Sequence, residues 1–170
     1  MISQKLAKAI NHQINFELQS SYLYLSMSAH CEAENFGGFA RWLRLQSEEE
    51  YGHAMKLFDL MNDLGAAIEL QAIAAPAAGF ESFRALFQEV YAHEQKVTAS
   101  INQLYALAAE EKAYAAQPVL QWFVTEQVEE ENTASDICHK FDLVQDNPVG
   151  LLALDRELGG RGAPTGGPQG

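Results

Sequence analysis

The stretch Leu43-Arg44-Leu45-Gln46-Ser47-Glu48-Glu49-Glu50-Tyr51-Gly52-His53-Ala54-Met55-Lys56-Leu57 decides the fold. In steps of three and four, Leu43, Gln46, Glu50, His53 and Leu57 fall on one stripe of a helix. The stripe is apolar at both ends and carries a carboxylate and an imidazole in its middle. Extended, it reads Phe39, Leu43, Gln46, Glu50, His53, Leu57, Leu60, Leu64. Three other segments follow the same rule. The first reads Leu6, Ile10, Gln13, Glu17, Ser20, Tyr24, Met27, Cys31. The third reads Phe83, Phe87, Val90, Glu94, Val97, Ile101, Leu104, Ala108. The fourth reads Leu120, Phe123, Gln127, Glu130, Ala134, Ile137, Phe141, Val144. Nowhere does a sustained strand-type alternation compete with this period.

The ends of the segments set the topology. Ser3 is an N-cap for the first, which runs to about Asn35, where Gly37-Gly38 is expected to stop it. The second runs from about Phe39 to Leu64 and ends at Gly65. An Ala-rich stretch with Pro76, residues 66–79, comes next. The third runs from about Ser82 to Glu111. The fourth opens near Gln117-Pro118, since Pro suits a first turn, and reaches about Gln145. Asn147-Pro148 opens a short fifth helix ending near Leu158. Residues 159–170, rich in Gly and Pro, read as a disordered tail, which leaves 1–158 as one domain. Short links make helices one and two, and three and four, antiparallel neighbours. The middle link is long enough to run back along a helix. The expectation is an all-α four-helix bundle with one long crossover between helices two and three, plus a short fifth C-terminal helix.

Composition narrows the function. The chain has 170 residues, 48% of them hydrophobic, which suits one globular domain. No apolar run reaches the roughly 18 residues a membrane span needs. The start, Met1-Ile2-Ser3-Gln4-Lys5, lacks an apolar signal core, so a cytoplasmic location is expected. Cys31 and Cys138 lie far apart and form no CxxC, which argues against a disulfide scaffold or zinc knuckle. With 23 acidic residues against 11 basic ones, the net charge is −12. That balance disfavours nucleic acid and favours cations as partners.

The four seams place Glu17, Glu50, Glu94 and Glu130, with His53, at similar height inside one bundle. A buried carboxylate costs several kcal/mol unless paired or metal-bound, and no Lys or Arg stands on any seam. One inward Glu would read as an ordinary paired polar group. Four with a His read as a metal site. Two divalent ions would balance four carboxylates, and Glu50 and His53, three apart, reach the same side of one helix. Oxygen donors with one imidazole suit iron or manganese. Di-iron bundles carry a lone Glu on two helices and Glu-x-x-His on the other two. Helices one, two and three fit; helix four offers Gln127-x-x-Glu130 instead.

Over residues 1–158 the chain resembles the ferritins, specifically the prokaryotic non-haem type. The resemblance rests on Asn15-Phe16-Glu17-Leu18 with Ser20, Ser21 and Tyr24, on Glu48-Glu49-Glu50-Tyr51-Gly52-His53, on His93-Glu94-Gln95, and on Leu120 to Glu130. It implies a ferritin-like bundle acting as a ferroxidase. Fe(II) would be oxidised by O2 or H2O2 and ferric mineral stored in a hollow shell of 24 chains. Glu17 and His53 would bind the first iron, Glu50 would bridge, and Glu94 and Glu130 would bind the second. Gln127 would hydrogen-bond the bound water or oxygen species. Glu49, Glu126 and Glu129 would form a third iron site with Glu130, although one position off the seam they also suit a solvated face. Tyr24 would donate electrons, with Trp122 as a second relay; both also suit core packing. The resemblance argues against haem, because Tyr51 stands where bacterioferritins carry Met and helix four lacks their Glu-x-x-His. Gln117 and Leu120 replace the acidic residues of animal iron-entry channels. His12, His30, His93 and His139 read as surface or hydrogen-bonded groups, and both cysteines as structural. The competing readings are a catalytically slow storage shell and a rubrerythrin-like peroxide reductase, which would call for extra Glu ligands and a Cys-rich piece.

Overall fold

A computed structural model describes residues 2–162. It contains α1 (Gln4–Ala33), α2 (Gly37–Asp63), α3 (Phe83–Glu110), α4 (Gln117–Val144) and α5 (Pro148–Gly159), with no strand among the described residues. The Ser3 side chain caps α1 by accepting from the Leu6 N–H. Asn147 caps α5 by accepting from Val149 and Gly150, both at 3.0 Å. Three helices close in one way. At the end of α1, Asn35 turns left-handed (φ 62°), its N–H donates to the Glu32 carbonyl, and Phe36 N–H donates to Cys31. Gly65 does the same for α2 and Lys112 for α3.

Asn35, not the glycine pair, is therefore the stop of α1, and Gly37-Gly38 opens α2. Gly38 has another task. A Cβ there would lie 1.8 Å from the carbonyl oxygen of Asp155 on α5. Gly159 makes the reciprocal approach: a Cβ there would lie 2.9 Å from the Cα of Gly38. Phe36 gives α2 no side-chain cap, and the Asp155 carboxylate supplies one by accepting from Phe39 N–H at 2.8 Å. The glycines let a short helix lie against the exposed N–H groups of a long one.

The pairs α1–α2 and α3–α4 are antiparallel, and α5 packs across the start of α2 and the end of α4. The crossover runs back along α1, pinned by side-chain amides. Asn11 donates to the Ala67 carbonyl and accepts from Glu69 N–H. Asn15 repeats the pattern with Glu69 and Gln71, and Ser26 donates to Ala77. These amides supply the partners that an extended, non-sheet segment would otherwise lack.

Every seam residue is buried except Leu64, Phe83 and Val144, which are half-buried at helix ends. The apolar core is split. One cluster, around Phe39, Leu43, Phe87, Phe141 and Leu154, fills one end of the bundle. The other, around Leu6, Ile10, Leu57, Ile101 and Phe123, fills the opposite end. Gln13, Glu17, Ser20, Gln46, Glu50, His53, His93, Glu94, Gln127 and Glu130 form the buried polar layer between them.

The tail boundary needs correcting. α5 continues through Gly159, and Arg41 donates from Nε to the Gly159 carbonyl at 3.2 Å, so the ordered chain passes residue 158. Residues 163–170 of the expected disordered tail lie outside the described residues. Among the described residues, no helix is long and apolar enough to cross a membrane.

Candidate metal centre

The heptad register of α1 and α2 turns Glu17, Glu50 and His53 toward one another. One ligand atom from each lies within 4.8 Å of the others, and all three side chains are buried. Glu50 Oε2 and His53 Nδ1 stand 3.4 Å apart. These two atoms and Glu17 Oε2 are buried without a hydrogen-bond partner. Orphaned buried polar atoms are rare in folded proteins. Three converging, all able to donate a lone pair, fit a divalent metal ion. The other Glu17 oxygen is held by Gln13 Nε2 at 2.8 Å, and Ser100 fixes Gln13 in turn. Such bonds orient ligands.

A second group shares His53. Glu49, His53, Glu126 and Glu130 also bring one ligand atom each within 4.8 Å, with Glu49 and Glu126 half-buried. Glu130 thus joins the flanking acids, while the Glu94 charge is still near enough to act on it. The Glu94 carboxylate is taken by the Tyr24 hydroxyl and by Gln127 Nε2, the latter at 3.2 Å. Gln127 also donates to Thr98 at 3.3 Å. Glu129, expected alongside Glu49 and Glu126, is exposed and belongs to neither group. Tyr24 is buried, and its hydroxyl reaches α3 rather than Glu17.

Electrostatics follow from burial. Burial, and next the Glu50 charge, raise Glu17 well above the usual carboxylate range. The same two causes push Glu94 up to about 8. Burial, with Glu50 and Glu94 behind it, raises Glu130. Burial opposes the charge on His53, but adjacent Glu50 outweighs it and lifts the imidazole to about 10. Burial opposes ionisation of Glu50 too, yet the His53 cation and its hydrogen bonds bring Glu50 below its ordinary value. Burial thus favours the protonated forms of Glu17, Glu94 and Glu130, while His53 and Glu50 favour each other's charged form. A divalent cation would expel those protons and convert the layer to carboxylate ligands.

Sequence reasoning misses two participants. Gln46, on the seam but given no role, donates to Glu50 Oε1 at 3.1 Å and to Glu130 Oε2 at 2.9 Å. Its place one turn before Glu50 is the available signal. Arg161 falls in the stretch that reads as tail, yet it bonds to Gln46 and Glu49. No periodicity could place it. His93 is buried and bonded to Ser20 at 2.7 Å, with its ring against Tyr24 and Phe16. Trp122 lies edge-on to His53 at 5.4 Å, under the Lys56 ammonium.

A family model described as the ferritin-like domain matches residues 7–144. The bacterial non-heme ferritin of Bacteroides fragilis is 42% identical over 161 residues, covering 95% of this chain and all of the relative. That of Escherichia coli O157:H7 is 39% identical over 158 residues, covering 93% of this chain and 96% of the relative. The open pore ferritin of the hyperthermophilic archaeon Archaeoglobus fulgidus superposes with a TM-score of 0.93 at 43% identity, covering 95% of this chain and 99% of its own.

Proposed function

The chain belongs to the ferritin family, and from that premise we propose that it is an iron-storage ferroxidase. Fe(II) is the substrate, and ferric mineral is the stored product. The observation that carries this reading is the buried convergence of Glu17, Glu50 and His53, with three orphaned donor atoms and no Lys or Arg on the four seams.

In this reading Glu17 and His53 hold the first Fe(II). Glu50 reaches both ions, because it lies between His53 and the Gln46–Glu130 contact. Glu94 and Glu130 take the second ion from α3 and α4. Gln127 keeps an N–H near Glu94, where it can bind a water or an oxygen species. Two Fe(II) give up one electron each, and O2 accepts both with two protons to leave H2O2. H2O2 can serve as oxidant in its turn, taking two electrons and two protons to two waters. Full reduction of O2 to two waters would take four electrons and four protons; three Fe(II), two in the buried layer and one at the group of Glu49, His53, Glu126 and Glu130, would give three electrons, and Tyr24, bonded to Glu94, would give the fourth. Glu49 and Glu126 would supply a third iron site with His53 and Glu130, whereas Glu129, the remaining expected member, is exposed outside that group.

Storage needs an enclosure, and we infer a closed shell of about 24 copies. Large apolar side chains remain exposed on two faces of the single chain: Tyr22 and Leu25 on α1, and Leu143, Val149 and Leu152 around α5. Such patches suit contacts with further copies. The test is to size the purified protein and then follow oxygen uptake on adding Fe(II). A shell-sized particle that consumes oxygen with iron supports the proposal. Monomers, or a shell oxidising iron no faster than buffer does, reject it.

A further inference from the structure

We propose that Arg161 is a built-in counter-cation of the second carboxylate group, which a metal ion must displace from Glu49 before that group can fill. The inference rests on the iron-binding reading above and adds an order of filling to it.

Four observations place the guanidinium. Arg161 Nη2 donates to Glu49 Oε2 at 2.5 Å, with the two side chains only 24% and 15% exposed. Arg161 Nη1 donates to Gln46 Oε1 at 2.8 Å. The guanidinium lies over the Trp42 ring, 5.0 Å from its centre. Arg41 holds the backbone beneath it, reaching the carbonyls of Gly159 and Arg161. The Gly38–Asp155 approach locks α5 to α2 just before this point. The arginine therefore arrives on a fixed base.

Its chemistry sets the rest. Guanidinium only donates, so Gln46 must turn its carbonyl toward Arg161 and its NH2 toward Glu50 and Glu130. Glu49 is one of the four residues whose ligand atoms converge, and buried His53, whose Nδ1 makes no hydrogen bond among the described residues and lies 3.4 Å from Glu50 Oε2, is another. A divalent ion and a guanidinium compete for Glu49 and repel each other at this range. The first group, Glu17, Glu50 and His53, meets no cation from outside the group among the described residues. It should fill first, and Arg161 should hold the second group at lower affinity until it is displaced.

The test titrates the assembled, metal-free protein with Zn(II), which has no redox chemistry, by calorimetry. The wild type should take two tight ions per chain and a third, weaker one. In R161Q the third should tighten by roughly tenfold, the usual size of a coupling between sites, while the first two, which Arg161 touches only through Gln46, should change by less and not tighten. R161K, which keeps the charge, should stay close to wild type. E49Q should remove the third ion whether or not Arg161 is present. A third ion that is absent in wild type and R161Q alike, or that binds R161Q no more tightly than wild type, overturns the inference. Loss of the first two ions in the wild type would reject the iron-binding reading itself. Matching unfolding midpoints for R161Q and R161K show that the variants are folded.

Discussion

The two carboxylate groups that share His53 use the same donors but are neutralised differently. Glu17 and Glu50 are buried, closed on both sides by apolar clusters, and among the described residues their only cation is His53 itself. Glu49 and Glu126 are half-buried, and Arg161 reaches Glu49 from outside the bundle. The donor atoms therefore do not set what each group needs. A sealed carboxylate must keep a proton or take a metal ion, whereas one at the edge can be satisfied by an arginine that is itself partly solvated.

The strongest way to break this contrast is Glu50→Ala. Glu50 touches His53 and shares Gln46 with Glu130, so both tight ions should weaken by more than about tenfold, the lower bound seen for groups one step further from a metal. Calorimetry with Zn(II) checks this, and unchanged affinity for either ion would dissolve the bridging role. His53→Ala should weaken the first ion and also the edge group, because His53 contributes to both.

Next in size is the response to pH. Glu94 is raised to about 8 in the folded chain, so its protonated form stabilises the metal-free fold at low pH. That contribution is full below the ordinary carboxylate value and is lost as pH rises through about 8. Denaturant titrations of metal-free protein should show stability falling from pH 5 to 8.5, by at most about 1.4 kcal/mol per pH unit per proton. Glu94→Gln should flatten the slope. Ion binding should run the other way and tighten with pH, because the carboxyls must release protons to become ligands. A metal-free protein that gains stability over this range would contradict the sealed-layer account.

Smaller still is Tyr24→Phe. The ring volume is kept and one hydrogen bond to Glu94 is lost, so the cost should be about 1 kcal/mol. Two Zn(II) ions should still bind. In iron oxidation, a transient tyrosyl radical should be present in the wild type and missing in the variant by paramagnetic resonance. Equal signals would reduce Tyr24 to packing. The smallest effect belongs to Glu129→Ala, which is exposed and outside both groups. Stability should shift by less than about 0.5 kcal/mol and the first fast oxidation should persist. Abolition of that phase would show that Glu129 is a ligand after all.

Features that repeat along a helix are legible in the amino-acid sequence. The seams locate the helices, the split core and the polar layer, because burial in a bundle follows a period that one residue type after another obeys. The triad of Glu17, Glu50 and His53 is legible for the same reason. What escapes depends on two distant pieces meeting once. Asn35 can replace glycine as a stop because its short polar side chain tolerates the left-handed region, which frees Gly37-Gly38 to receive α5. Glu94 turns to Tyr24 and Gln127, a choice of rotamer that no spacing encodes. Arg161 lies in a stretch whose Gly and Pro content reads as tail, and only the docking of α5 brings it to Glu49.

The antiparallel pairing of α1 and α2 also bears on how the chain is made. The three ligands of the sealed group come from two adjacent helices, and the crossover that covers α1 is bonded to that same helix. All of this is encoded before residue 80, so a growing polypeptide has synthesised the complete first donor set while α3 and α4 are still to come. The edge group also draws on Glu126 and Glu130 of α4. A chain that stops before α4 carries the first set without the second, so occupancy of the edge group reports that α4 has been made.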